Sequence, residues 1–503
     1  MIVNITGEIN PYYVQTLCMV FFPGAKFAHD EPADAYVPVL DLHVYDGEDN
    51  TVCAHAALRY DGKRTEGNSS VPYIPSYSVE KRRKIAAGKA IFEAGKSLLR
   101  YTPPWGILTG VRPSKVAAEL LRAGNTPTKA KRILRDEYSL NPQKASLAVS
   151  VADLELDLTT PDQTGRCSVY VSIPFCPSRC SYCSFVSYTT PRLLSMIDDY
   201  LDVLIRDLAD RFAIIRELGL TVATVYIGGG TPTILSAAQL DKLLAAISSF
   251  VDPSSLEEFT LEGGRPDTIT KEKMQVCLSY GVNRISVNPQ TLNDTLLENI
   301  GRHHTVAEFL EAYGVVKESG IPYVNVDLIA GLPGDSFANF SSTLDRIVEL
   351  EPENITVHTF CVKKAAELPK KGGNGIYSRH GGETAKAVSY AKVTTALAGY
   401  RPYYLYRQKN TIGNLENVGY SKPGAEGMYN IYMMEELHSI FAAGAGAVSK
   451  LVAPAKDFQT PKIQRIFTPK YPYEYLRDAE ADRTSESPSL RDQALAFYQT
   501  YVF

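Results

Sequence analysis

The chain has little that would anchor it to a membrane or to a polyanion. No apolar run approaches the ~20 residues needed to span a bilayer as a helix. The opening stretch "MIVNITGEINPYYVQTLCMV" has neither the basic start, the apolar run nor the small-residue cleavage site of a signal peptide. Charge of one sign is not in excess: 52 Lys and Arg face 56 Asp and Glu, a net charge of −4. That balance excludes a global electrostatic attraction to nucleic acid or anionic lipid. A cytoplasmic location is expected, with no membrane span and no nucleic-acid partner. Cysteine is sparse, eight in 503 residues, and a disulfide framework is not expected in so long a chain without an export signal. Also missing are a second Cys-x2-Cys and a His-x3-His pair, either of which would complete a four-ligand zinc site.

What remains is an ordinary globular composition, 45% hydrophobic and 21% charged, at a length that suits about two to four domains. Five cysteines, Cys18, Cys53, Cys167, Cys277 and Cys361, are scattered and read as buried apolar side chains. The other three, Cys176, Cys180 and Cys183, crowd into "CPSRCSYC".

From Cys167 onward, short apolar strands alternate with helical stretches. "CSVYVSI" precedes the cysteine loop and a helix over 193–218 that stops at Gly219. "TVATVYI" runs into Gly228-Gly229-Gly230, and "SAAQLDKLL" then opens a helix with Ser236 and Gln239 at capping-box spacing. The rhythm continues through "EEFTLEG", a helix over 271–280, "NRISVNP", a helix over 306–318, "YVNVDLIAGL", a helix over 337–350, and "NITVHTFCV". About six βα units in succession imply parallel strands with helical crossovers. The spacing alone fits either an open doubly wound sheet or a curved, partial barrel. Both put chemistry at the carboxyl ends of the strands, where the cysteine cluster, the triple glycine, Glu262, Gln290 and Asp327 all stand.

Residues 1–160 have a different texture and read as a separate accessory module. "TTPDQTGR" separates them from a core over 161–400, and 401–503 form a C-terminal region. The basic helix "SVEKRRKIAAGKAIFEAGKSLL" reads as having a solvated face. "LPKKGGNGIYSRHGGE" reads as a mobile loop and "EADRTSESPS" as an exposed linker before a last helix.

Three thiolates on one loop suit a cubane [4Fe–4S] cluster better than zinc, because three irons take cysteine and the fourth stays open for a ligand. On spacing alone, zinc remains the other candidate. Cys176-x3-Cys180-x-Tyr182-Cys183 resembles the signature of the radical S-adenosylmethionine (SAM) enzymes. "YVSIPFCPSRCSYCSF", "YIGGGTPT", "LEGGRPDTI", "RISVNPQTLND", "IGRHHT", "VDLIAGLPGDS" and "GAGAVSK" follow in the order of the oxygen-independent coproporphyrinogen III oxidase/dehydrogenase group. "PWGILTGVRPSK" and "YYLYRQKNTIGNLENVGYSKPGAEGMYN" are similar to its longer HemZ type rather than the shorter HemN type.

The resemblance implies an α/β fold: a partial (β/α)6 radical-SAM barrel with an N-terminal α+β module and a C-terminal extension. It implies a [4Fe–4S] cluster on Cys176, Cys180 and Cys183 whose open iron takes SAM. Tyr170 would pack beside that iron, and Gly229, Gly230 and Thr231 would let backbone approach the amino-acid end of SAM. Glu262, Gln290, Arg302 and Asp327 would contact the ligand; for Asp327, an ion pair with Arg302 is the competing role. The implied reaction is oxidative decarboxylation of coproporphyrinogen III to protoporphyrinogen IX in haem biosynthesis, driven by a 5′-deoxyadenosyl radical and an unidentified low-potential electron donor. No side chain beyond the cluster is assigned to catalysis. Arg407 and Lys409 are expected to bind the substrate's propionates, with Tyr403, Tyr404 and Tyr406 lining the macrocycle; a charged edge strand is the competing role of that run. Two positions depart from many HemN-type sequences: Ser172 stands where they have His, and Phe185 where some have a further Cys. Other members of the wider family are haem-binding chaperones or open or alkylate the haem ring, so those readings stand beside the dehydrogenase.

Overall fold

The computed structural model describes residues 1–28, 36–160, 162–185, 187–361, 382–408, 411–453, 461–480 and 489–503. Most of "LPKKGGNGIYSRHGGE", nearly all of "EADRTSESPS" and Lys409 lie outside the described residues.

The N-terminal residues build a four-stranded sheet from β1 (Ile2–Thr6), β2 (Val39–Asp46), β3 (Val52–Tyr60) and β4 (Lys63–Val71), paired in that order. Leu40, Leu42, Val44, Val52, Ala54, Ala56 and Leu58 alternate with polar residues and bury one face. The helix Val79–Leu99, capped by Ser78, covers that face with Ile85, Ala86, Ala90, Ile91 and Ala94. Helix and sheet touch at Gly67, where a Cβ would lie 2.1 Å from the Ala90 carbonyl oxygen. The solvated face expected for this helix is therefore the narrower one. Three further helices, Pro113–Arg122, Pro127–Asp136 and Pro142–Leu158, lead to the core.

The second sheet has eleven strands. Its centre is a run of six parallel strands: β5 (Arg166–Ile173), β6 (Thr221–Gly229), β7 (Glu258–Glu262), β8 (Arg284–Ser286), β9 (Tyr323–Ala330) and β10 (Asn354–Thr359). The crossover helices include Ile197–Glu217, Ala237–Phe250, Lys271–Ser279, Val306–Ser319 and Phe337–Glu349. The expected capping box at Ser236 and Gln239 forms in full. Val169, Val225, Phe259, Ile285, Val326 and Ile355 turn outward beneath the helices and are buried. The alternate positions are polar or aromatic and face inward, so the partial barrel has a chemically reactive lining rather than an apolar one.

The C-terminal residues extend this sheet at both edges. Beyond β10 lie β12 (Glu416–Ser421) and β11 (Arg401–Arg407), antiparallel to one another; beyond β5 lie β13 (Ser439–Ala443), parallel to it, then β14 (Val448–Ala453) and β15 (Lys462–Phe467). The helix Met428–Glu435 and the turn before it close the floor of the barrel. There Nη2 of Arg284 donates to the Ala425 and Glu426 carbonyls at 2.9 and 3.1 Å, and Tyr429 stacks on Tyr226 at 4.4 Å.

The N-terminal helices dock on the β11–β12 edge. The chain's one tryptophan, Trp105, is fully buried and donates from Nε1 to Glu416 at 2.8 Å, and Lys144 pairs with the same carboxylate. Arg112 bonds the Met434 carbonyl and Glu436. "PWGILTGVRPSK" thus fastens the N-terminal part to the barrel edge.

Of the five scattered cysteines, Cys18, Cys167 and Cys277 are buried as expected, whereas Cys53 and Cys361 are only partly covered. Cys53 points to the open side of the N-terminal sheet because alternation along β3 turns it away from the helix, and Cys361 follows the open end of β10.

Candidate active site

β5 ends in the cysteine loop, and backbone hydrogen bonds pin that loop along its length. Cys176 N–H donates to the Tyr188 carbonyl, Cys183 N–H to Cys180, and Ser181 N–H to Ile300. Arg265, itself paired with Asp267 at 3.0 Å, donates to Ser178 Oγ at 2.8 Å. Three thiols are thereby presented from one short segment at the open end of the barrel. Burial pushes the Cys176 thiol up to about 11; the Thr231 hydroxyl, donating to its sulfur at 3.2 Å, opposes that, and Cys183 and Cys180 add to it. A cationic metal centre is what would let such a raised thiol act as a thiolate.

The residues fit a cluster with a ligand beside it. Gly229 has φ +114°, and a Cβ at Gly230 would lie 2.5 Å from the Phe175 carbonyl oxygen and 3.0 Å from Cys176 Sγ. Backbone here must pass directly beneath the thiol loop, which only glycine permits. Gln290, held at φ +72° by ladder bonds to Asp327 and Ile329, keeps a buried Oε1 with no protein partner. Buried polar atoms are ordinarily satisfied, and such an atom at an open strand end suits a ligand donor.

Glu262 closes β7 and faces inward, accepting from Tyr226 Oη at 2.5 Å. Burial, opposed by that bond and reinforced by Asp327, pushes its carboxyl up to about 7. Asp327 behaves oppositely. Burial would raise it, but His358, Asn325 and Thr356 outweigh burial and hold it below the usual carboxylate range. Asn325 Nδ2 donates to it at 2.7 Å, and His358 Nε2 stands 3.6 Å from its Oδ2.

Asp327 and Arg302 do not form the competing ion pair: Asp327 is paired with His358. Arg302 is buried, donates to the Gly264 carbonyl at 3.3 Å and to that of Asn288, and bonds the Tyr182 phenol inside the cysteine loop. Its guanidinium braces the loop from behind. His304, two residues on, is buried without a hydrogen-bond partner, and burial, with Arg302 and Arg265 nearby, lowers it to about 3.

Tyr170 lies on the inner face of β5 and packs beside the stacked pair of Tyr226 and Tyr429, at 6.1 and 6.4 Å from their rings. The Ser172 hydroxyl donates to the Ala445 carbonyl at 2.9 Å, tying the cluster strand to "GAGAVSK". Phe185 is exposed.

Arg407 occupies a different place from the one expected. It is buried on the outer side of β11, donates to the Leu108 carbonyl at 2.6 Å and to Asn414, and lies over the Trp105 ring. Strand alternation explains this: Tyr404 and Tyr406 turn inward, so Arg407 turns out, under the N-terminal helices. Tyr403 is buried against Asn430. Several inward groups were missed from sequence, namely Tyr226, Tyr429, Arg265, His304 and His358. Period-two alternation in "NITVHTF", set beside "VNVDL", carried the signal for His358.

Residues 170–347 match the Radical SAM superfamily model. The oxygen-independent coproporphyrinogen-III oxidase-like protein HemZ of Bacillus subtilis is 40% identical over 379 residues, 74% of each chain. The heme chaperone HemW of the same organism is 30% identical over 329 residues, 63% of this chain and 80% of its own. Among solved structures, coproporphyrinogen III oxidase (HemN) from Escherichia coli aligns with a TM-score of 0.49 at 20% identity, over 65% of this chain and 72% of its own.

Proposed function

The chain belongs to the radical SAM superfamily, in the family of oxygen-independent coproporphyrinogen-III oxidase-like proteins of the HemZ type, and from that premise we propose that it decarboxylates coproporphyrinogen III oxidatively to protoporphyrinogen IX. The observation that carries the reading is that one short loop at the open end of the barrel carries three thiols, with a glycine-lined strand end beneath Cys176 and the orphaned Gln290 oxygen at the same end.

Cys176, Cys180 and Cys183 would hold a [4Fe–4S] cluster. Gly229, Gly230 and Thr231 would leave room for the amino-acid end of SAM, and Glu262, Gln290 and Asp327 would receive its polar groups. Arg302 would act on the loop, keeping Tyr182 and Cys180 in place, rather than as a free carboxylate clamp. When bound, the cluster and SAM supply one-electron cleavage of the SAM C–S bond and so a 5′-deoxyadenosyl radical. The tyrosine stack of Tyr170, Tyr226 and Tyr429 forms a rigid floor that excludes water from below. Each turnover removes a β-hydrogen, one electron and CO2 from a propionate and leaves a vinyl group. The reducing electron comes from an external low-potential donor, and the substrate's electron leaves to an external acceptor.

The HemW relatives favour a second reading, a haem-binding and haem-delivering protein. Anaerobic mass spectrometry of the tetrapyrrole products separates the two. Iron- and sulfide-reconstituted protein with SAM, reductant and coproporphyrinogen III should show stepwise loss of two carboxyl groups. An untouched porphyrinogen alongside tight haem binding would select the second reading.

A further inference from the structure

The proposed reaction needs a seat for a propionate carboxylate at the open end of the barrel, and Arg407 faces away from it. β11 is antiparallel to β12, which is antiparallel to β10, so β11 runs in the same direction as the barrel strands and Tyr406 stands at its open end. There the Tyr406 hydroxyl is 3.2 Å from His358 Nδ1, and His358 Nε2 is 3.6 Å from Asp327. These three are half-buried, with 29% of the His358 side chain and 20% of Asp327 accessible, whereas Tyr403 and Tyr404 beneath them are buried. The relay therefore opens to the interior space instead of filling it.

We infer that Tyr406, held by His358, seats a substrate carboxylate beside Asp327; this deepens, and rests on, the tetrapyrrole reading. A carboxylate entering next to Asp327 needs a group between the two that keeps the like charges apart. The His358 imidazole stands there, with Nε2 toward Asp327 and Nδ1 toward the Tyr406 oxygen. Tyr406 then turns its own O–H to the carboxylate in a charge-assisted bond. Gln408 also bonds the Tyr406 phenol and yields that place or shares it. Asp327 is an expected SAM contact, so a carboxylate seated here lies next to SAM, the adjacency that hydrogen transfer requires. His358 is a positioning residue that acts through Tyr406.

Fluorescence titration of the iron-loaded protein with coproporphyrin III, an unreactive tetracarboxylate, tests the seat, with its tetramethyl ester as the uncharged comparison. Y406F and H358F should raise the Kd for coproporphyrin III by about tenfold or more, while the ester binds all forms alike. H358N, which keeps a donor near the Nδ1 position, should recover part of the loss. Equal coproporphyrin III affinity in the variants overturns the seat and leaves the tetrapyrrole reading standing. Parallel loss of ester binding shows a merely structural role and also overturns it. Failure of the wild-type protein to bind coproporphyrin III overturns both.

Discussion

Replacing Glu262 by Gln tests whether the barrel interior has the electrostatics described for it. In the folded protein its carboxyl titrates at about 7, chiefly through burial, whereas in an unfolded chain it titrates at about 4.3. A carboxyl whose folded value is raised makes the native state favour the proton. Stability is then lost as pH rises from the unfolded value through the folded one, and levels off above it. At ~1.4 kcal/mol per pH unit the difference corresponds to about 4 kcal/mol, of which about 3 is lost between pH 4.5 and 8.5. Glutamine mimics the protonated acid and still accepts from Tyr226. Urea titrations of ligand-free wild-type and E262Q protein, followed by tyrosine fluorescence, should coincide near pH 4.5. By pH 8.5 E262Q should be more stable by about 3 kcal/mol. A difference that is flat with pH, or one in which wild type gains on E262Q as pH rises, would refute the burial argument.

Three further outcomes are expected. C180A should lose the fourfold iron content and the visible absorption of a reconstituted [4Fe–4S] protein, because two thiolates on this loop leave too few ligands. G230A should retain the fold, by circular dichroism, but lose most of its cluster and SAM binding, since its methyl group meets Phe175 O at 2.5 Å and Cys176 Sγ at 3.0 Å. E416A leaves Lys144 buried without its counter-ion and the Trp105 N–H unpaired, and should cost about 3–5 kcal/mol. The same variant should expose the segment joining the N-terminal helices to early protease cleavage.

Much of the architecture could be read from the chain because its βα rhythm is local. Apolar strands, capping signals such as Ser236 and Gln239, and glycines at strand ends mark the six parallel strands without reference to tertiary contacts. The cysteine loop was legible for the same reason. The placement of Arg407 was not, because a run such as "YYLYRQKN" gives the alternation of its side chains but not which face meets the barrel. That choice is made at long range, by Trp105 and Leu108 about three hundred residues upstream. In the sequence Asp327 is a carboxylate in an apolar strand. Its real setting depends on Asn325 and on Thr356 and His358 of the neighbouring strand, a pairing fixed by the register of β9 with β10.

The proposed function requires that this site take hydrogen from a tetrapyrrole propionate. Its most direct test is an anaerobic reaction with coproporphyrinogen III deuterated at the propionate β-carbons, followed by mass spectrometry of the nucleoside product. Deuterated 5′-deoxyadenosine, formed in step with loss of carboxyl groups from the porphyrinogen, is the expected result. Unlabelled 5′-deoxyadenosine with intact porphyrinogen would contradict the account.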